Sequence, residues 1–329
     1  MPARQRAAAD PTPERFRAAV AALVSDPGGR VALAVSGGPD SLALLLLAHR
    51  AGFDVVALTV DHGLRPEAAD EARRVAAICG GAGVPHVTLA VEVPRAASVQ
   101  AAARAARYTA LAGWCDANDV RWLMTAHHAD DQAETLLMRL SRGSGLGGMA
   151  GIRARRPVEG HAVILLRPLL GWRKADLAAL VADAGLTAAD DPSNRSDAYD
   201  RTAVRALLAT GGIDAAGAVA TAAHLAEAEA ALGWTADEAW AGRACALGET
   251  LTLDTRGLPA ELVRRLVLRA FREIRGAEPD GPALQRLLAA RGGTLAGVHA
   301  EGGPLWRFRT EPPRKMRAST EQARNSGCR

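Results

Sequence analysis

Through the first two-thirds of the chain, short runs that are apolar at nearly every position alternate with longer stretches of helical period. The runs are VALAV (31–35), DVVALTV (54–60), HVTLAV (86–91) and RWLMTA (121–126). Helical stretches follow them at about Asp40 to Ala51, Glu67 to Ala82, Ser98 to Asn118 and Asp130 to Ser141. VILLRPLL (163–170) reads as a fifth strand, with a helix after Trp172. A strand with no polar face is buried on both sides, and strands alternating with helices predict an α/β, doubly wound, mostly parallel sheet. The pattern changes near Thr210-Gly211-Gly212. An Ala-rich helical stretch (215–247) gives way to TLTLD (250–254), two helices (259–275 and 282–291) and a Gly-rich β-like end, GGTLAGVHAEGGPLWRFR (292–309). This predicts a second, smaller, mostly helical α+β domain.

Polar residues gather where the strands stop. Ser36-Gly37-Gly38-Pro39-Asp40-Ser41 follows the first, Asp61-His62-Gly63-Leu64-Arg65 the second, and Ala126 to Thr135 (AHHADDQAET) the fourth. In doubly wound sheets ligands collect at these carboxyl ends. Two glycines let backbone approach a ligand closely, and the next helix offers unpaired N–H groups and a positive dipole end. With the Ser36 and Ser41 hydroxyls these make a phosphate cradle rather than a merely capped turn. It is neither GxxxxGK[ST] nor GxGxxG. An aspartate suits such a site if magnesium accompanies the phosphates, so Asp40 points to that ion. Asp130 and Asp131 could simply cap a helix, and His-His-x-Asp-Asp could hold zinc or iron, but carboxylates opposite a phosphate loop suit magnesium better. Arg142 to Met149 (RGSGLGGM) reads as a connector or as a loop closing over the site. Arg201 and Arg205, after Asp191-Pro192-Ser193-Asn194, share one helical face and could be solvated or could grip phosphates.

Charge adds little. The 329 residues carry a formal net charge of +4, with 49% hydrophobic residues, enough for a sizeable core. From Glu301 onward stand seven Lys or Arg against three Glu, so this end carries the whole excess. It serves solubility or a phosphate partner. The four cysteines, Cys79, Cys115, Cys245 and Cys328, form no CxxC and carry no zinc spacing, which reads as reduced cysteines. No run has transmembrane length and the start lacks a signal-peptide core. The expectation is a cytoplasmic protein without a membrane partner.

SGGPDS resembles the PP-loop of the N-type ATP pyrophosphatases, which cleave ATP between the α- and β-phosphates. SGGPDS, DHGLR, AARAARY, AHHADDQAET, RGSGLGGM, RPLL and DPSN…R…R, in this order, resemble the tRNA(Ile)-lysidine synthetase family over about residues 31–205. The resemblance implies ligation of free L-lysine to C2 of the wobble cytidine of a CAU-anticodon tRNA(Ile), through an adenylated base, with ATP and Mg2+. It implies that Ser36, Gly37, Gly38, Pro39, Asp40, Ser41, His62, Arg104 and Arg107 bind ATP and that Asp40 and Asp131 hold magnesium. Asp40, Asp131, His128 and Arg107 are the catalytic candidates. Asp130, Asp131 and Glu134 are candidates for the lysine ammonium, and Arg142, Arg201 and Arg205 for tRNA. Thr202 replaces a usual asparagine, and Ala68 or Ala69 a usual serine. The domains expected are an N-terminal extension and helix (1–28), a catalytic domain (29–212), a tRNA-contacting domain (213–312) and a basic, disordered tail (313–329). A homodimer stays open. The rivals are a tRNA thiolase sharing the loop, which would need a cysteine pair, and a non-catalytic ATP sensor, which would hardly need the opposing carboxylates.

Overall fold

A computed structural model describes residues 11–25, 27–61, 63, 67–91, 99–189, 204–208, 213–276 and 278–311. His62, Arg201, the Asp191–Asn194 stretch and the tail from residue 312 lie outside the described residues. The chain divides into two compact units between Glu227 and Ala228.

The first unit begins with α1 (Pro13–Ala21), whose N-cap Thr12 accepts from the Arg15 N–H. It buries Phe16 and Val20, with Phe16 edge-on to Phe53 at 5.8 Å. The alternating elements are β1 (Val31–Ala34), α2 (Pro39–Arg50), β2 (Val55–Asp61), α3 (Glu67–Gly81), β3 (His86–Ala90), α4 (Val99–Ala117), β4 (Trp122–Met124) and α5 (Ala129–Ser141). Then come the one-turn α6 (Leu146–Met149), β5 (Arg155–Pro157), β6 (Ile164–Leu166) and α7 (Lys174–Asp183). The six strands stand in the order β3-β2-β1-β4-β6-β5. All pairings are parallel except that of the edge strand β5 with β6.

The apolar runs behave as two-sided strands. Val31, Ala32 and Leu33 are fully buried, Val31 and Leu33 in a core shared with α1, α2, α3 and α7, Ala32 in one shared with α4. The LALLLLA run of α2 contributes the fully buried Leu42, Leu44 and Leu47 to the first core, each adding about 2 kcal/mol on burial. Successive strands lie outward on one side of β1 as far as β3. The chain then returns to place β4 on its other side, so β1 and β4 form the switch point of the sheet, where ligands bind.

The second unit takes in the end of α8 (Ala215–Arg243), then β7 (Ala244–Leu247), β8 (Thr250–Asp254), α9 (Ala260–Arg275), α10 (Gly281–Ala290), β9 (Gly292–Leu295), β10 (Val298–Glu301) and β11 (Leu305–Thr310). Its antiparallel sheet has the order β7-β8-β11-β10-β9. Leu262, Leu266, Val267, Ala270 and Phe271 of α9 are buried at helical spacing. With Trp306 and Phe308, Leu266, Val267, Ala270 and Phe271 share the core of this unit. Trp306 stacks on Phe308 at 5.7 Å and is buried, so it is a core residue rather than a stacking platform.

Two strands lay hidden in the pattern. The helical stretch expected through residue 247 ends at Arg243, and Ala244–Leu247 form β7 instead, turned back by Gly248 at φ +59°. The fifth expected strand is short, Ile164–Leu166, and is joined by β5, whose Arg-Arg-Pro sequence carries no apolar signal.

Candidate active site

The phosphate loop connects β1 to α2. Gly37 has φ +87°, and a Cβ there would meet the Val75 side chain at 3.1 Å. Gly38 caps α2 with no side-chain bond, which leaves the first-turn N–H groups free for an anion. Ser41 holds the loop closed, accepting from the Ser36 N–H at 3.2 Å and donating to the Gly38 carbonyl at 2.9 Å. Ala189 N–H donates to the Gly37 carbonyl at 2.9 Å.

The segment after β4 faces this loop. His128 caps α5: Asp131 N–H donates to its Nδ1, and Asp131 Oδ2 accepts from the His128 N–H at 3.0 Å. With Nδ1 an acceptor, Nε2 carries the proton. It lies 3.5 Å from Asp40 Oδ2 and 3.6 Å from Asp131 Oδ2. Burial disfavours the imidazolium, but the hydrogen bond from the ring to Asp40 and the charges of Asp131, Asp40 and Asp130 outweigh it and raise the His128 pKa. A single buried imidazole thus bridges an aspartate of the phosphate loop and an aspartate from the far side of the switch point.

Asp40 Oδ1 is buried without a hydrogen-bond partner. A desolvated, unpartnered carboxylate oxygen at the mouth of a phosphate loop fits a hard cation. Among the described residues no three His, Cys, Asp or Glu side chains gather as a metal cage. Magnesium needs none, since one or two carboxylates plus substrate phosphates complete its shell.

Comparisons with known proteins give the family. The PP-loop domain family matches residues 12–210. A tRNA(Ile)-lysidine synthase from Zymomonas mobilis is 47% identical over 310 residues, covering 91% of this chain and 94% of its own length. The chain belongs to the tRNA(Ile)-lysidine synthase family. A member from Novosphingobium aromaticivorans is also 47% identical, over 91% of this chain and 93% of its own. Among solved structures, a U34-tRNA thiolase from Methanococcus maripaludis superposes with a TM-score of 0.54 at 18% identity, over 65% of this chain and 77% of that one, a likeness of fold alone.

The other residues expected to form the lysidine synthase site separate into groups. Glu134 accepts from Arg205 Nε at 2.8 Å. Asp130 Oδ2 accepts from the Lys174 N–H at 2.8 Å, and its Oδ1 lies 3.6 Å from Arg173, so this carboxylate serves the start of α7. Arg104 and Arg107 each lie over the Tyr108 ring, at 5.3 and 5.5 Å. Burial lowers the Arg107 pKa.

Three residues join the site without having been singled out from sequence. Burial, with Arg167, Arg104, Arg107 and His128 adding to it, pushes the His127 pKa down to about 3, so this imidazole is neutral. Its Nδ1 pairs with Thr125 Oγ1 at 3.0 Å. Arg167, at the end of β6, is buried. Burial pushes the Tyr108 phenol up, but Arg104, Arg167 and Arg107 outweigh it and bring its pKa below the ordinary value. These residues form a cationic flank around a neutral imidazole. The signals were there, in the doubled histidine, AARAARY and RPLL, but adjacency in sequence did not show that they converge.

Burial raises the Cys79 thiol to about 11, and burial with the neighbouring Asp116 raises Cys115 to about 12. Neither is a thiolate near neutral pH, so neither serves the sulfur-transfer reading.

Proposed function

We propose that this chain ligates L-lysine to C2 of the wobble cytidine of a CAU-anticodon tRNA(Ile), consuming ATP and releasing pyrophosphate and AMP. The observation that carries the reading is the meeting of Asp40 and Asp131 around His128 at the switch point, opposite the phosphate loop. The family membership supports it. In the first step the cytidine C2 oxygen attacks the α-phosphate of ATP; the P–O bond to the β-phosphate breaks and pyrophosphate leaves. In the second, the lysine ε-amine attacks C2, the C2–O bond breaks with AMP leaving, and the amine gives up a proton.

The free N–H groups of α2 and the Ser36 hydroxyl bind the triphosphate, while the Ser41 hydroxyl, spent on the Gly38 carbonyl and the Ser36 N–H, shapes the loop that presents them. Asp40 and Asp131 hold magnesium, which supplies charge stabilisation at the phosphates. Donors fixed in advance stabilise charge as it develops; Arg104 and Arg107, on the flank around His127, are assigned to the base rather than to the triphosphate. His128 is the brace between the two aspartates. With both ring nitrogens engaged it is poorly placed to take the lysine proton, and with Asp131 on magnesium and Glu134 held by Arg205 the proton passes to water. Neutral His127 can hydrogen-bond a substrate without adding charge. tRNA meets Arg142, Arg201 and Arg205.

The test is incorporation of labelled lysine into a CAU-anticodon isoleucine tRNA transcript with ATP and magnesium, beside a transcript with the wobble C changed to U. Lysine enters only the first. Pyrophosphate release without incorporation would overturn the lysine assignment, and neither product would favour the ATP sensor.

A further inference from the structure

Gln132 stands on α5 between Asp131 and Glu134, and no role above uses it. Its side chain is buried, and both ends of its amide go to one residue. Ile152 N–H donates to Oε1 at 2.5 Å, and Nε2 donates to the Ile152 carbonyl at 3.1 Å. The next two residues are held from the other side. Arg167 donates from Nη1 to the Arg153 carbonyl at 2.6 Å and from its backbone N–H to the Ala154 carbonyl at 2.8 Å. Gly151 makes room for this: it has φ +69°, and a Cβ there would lie 2.5 Å from Gln132 Oε1 and 2.9 Å from its Cδ. Just upstream, Met149 packs on the cluster that contains Ala133 and Leu136 of α5.

Topology sets where this segment lies. Because β5 runs antiparallel to β6, with Arg155 opposite Leu166, the chain entering β5 passes the carboxyl end of β6. There it borders Arg167 and the cationic flank. The phosphate loop follows β1, and β4 stands between β1 and β6. The segment is therefore on the side of the site away from the triphosphate.

We propose that Gln132 is a positioning residue, whose paired bonds to Ile152 fix residues 151–154 as a rigid wall on the side of the site that takes the second substrate. The proposal rests on the functional reading above, in which the base and lysine occupy the side that ATP leaves open. A Gly-rich connector has many accessible conformations, and an amide that exchanges two bonds with one backbone residue selects one of them. Reaction between bound groups is sensitive to small displacements of such a wall. ATP binding, at the other strand ends, is not.

Gln132→Met keeps length and approximate volume while removing both bonds. The expected result is a fall in kcat for lysidine formation of about tenfold or more, with the KM for ATP changed by no more than about twofold. Amide hydrogen exchange at residues 151–154 rises by about tenfold or more, while the amides within α5 keep their protection. Gly151→Ala, strained at φ +69° and driven into the Gln132 amide, lowers kcat in the same way. A wild-type kcat for Gln132→Met, a KM for ATP that rises as kcat falls, or unchanged exchange at 151–154 would overturn the proposal. Should Gln132→Met not fold, Gln132→Glu keeps the acceptor for the Ile152 N–H, loses the donor, and is read in the same way. If the wild-type chain incorporates no lysine, the functional reading fails, and hydrogen exchange still decides whether the wall depends on Gln132.

Discussion

Asp40 and Asp131 meet one imidazole from opposite sides, and only Asp40 leaves a buried oxygen unpartnered. Replacing either with Asn keeps the shape and removes a charge. Asp131→Asn is expected to lower lysidine formation by about a hundredfold or more, because charge stabilisation fixed in advance is a dominant catalytic term. Full activity in a lysine-incorporation assay would take Asp131 out of the machinery. His127 makes a prediction about pH. Its pKa in the folded chain, about 3, is below the ordinary 6.5. Between these values the unfolded chain binds a proton that the folded one does not. The contribution of His127 is thus fully present above pH 6.5 and is lost as pH falls toward 3. His127→Gln, neutral at every pH, is expected to flatten the decline of Tm across that window, and an unchanged decline would refute the assignment. The two aspartates were legible in sequence because each sits where a strand ends beside a phosphate-type loop. Arg167 was not: it interrupts an apolar run, VILLRPLL, and its partners at 153 and 154 come from another strand's entry.

At the scale of elements, conformation at single positions sets the cost of change. Gly37→Ala would place a Cβ against Val75 at φ +87°. The variant is expected to lose about 1–2 kcal/mol of stability and to raise the KM for ATP, both measurable by denaturant titration and initial rates. The hairpin joining β9 to β10 offers the converse. Ala296 there has φ +49° and precedes Gly297 at +73°, a turn that suits glycine or asparagine. Ala296→Gly is expected to stabilise the second unit by about 0.5–1 kcal/mol, the relief of left-handed strain being offset in part by a more flexible unfolded chain. A lower Tm would contradict it. Helices were read to within a residue or two where their apolar period was long, as in α2, α3 and α5. The strands missed were those specified by neighbours rather than by their own residues. β5 is Arg-Arg-Pro, and β7 continues an Ala-rich run that is equally at home in a helix.

For the molecule as a whole, tRNA affinity is expected to fall linearly with salt on logarithmic axes, because phosphate contacts release counterions. Lysine affinity, which involves a single ammonium, should change far less. Equal salt dependence would argue against an extended basic contact. The parallel sheet was legible as an architecture because four apolar runs alternate with helices. Strand order was not, since the return of the chain across β1 is a choice of packing that no local pattern records. The edge beyond β6 carries a further consequence. A parallel sheet assembles from segments distant in sequence, so it forms slowly and its open edges invite pairing with other chains. Here the last place on that side goes to three residues, two arginines and a proline. Proline offers no N–H to a stranger's strand, and paired guanidinium groups repel a second copy of the same edge. The strand that returns the chain from the site is thereby also a guard against aggregation while the sheet is being built.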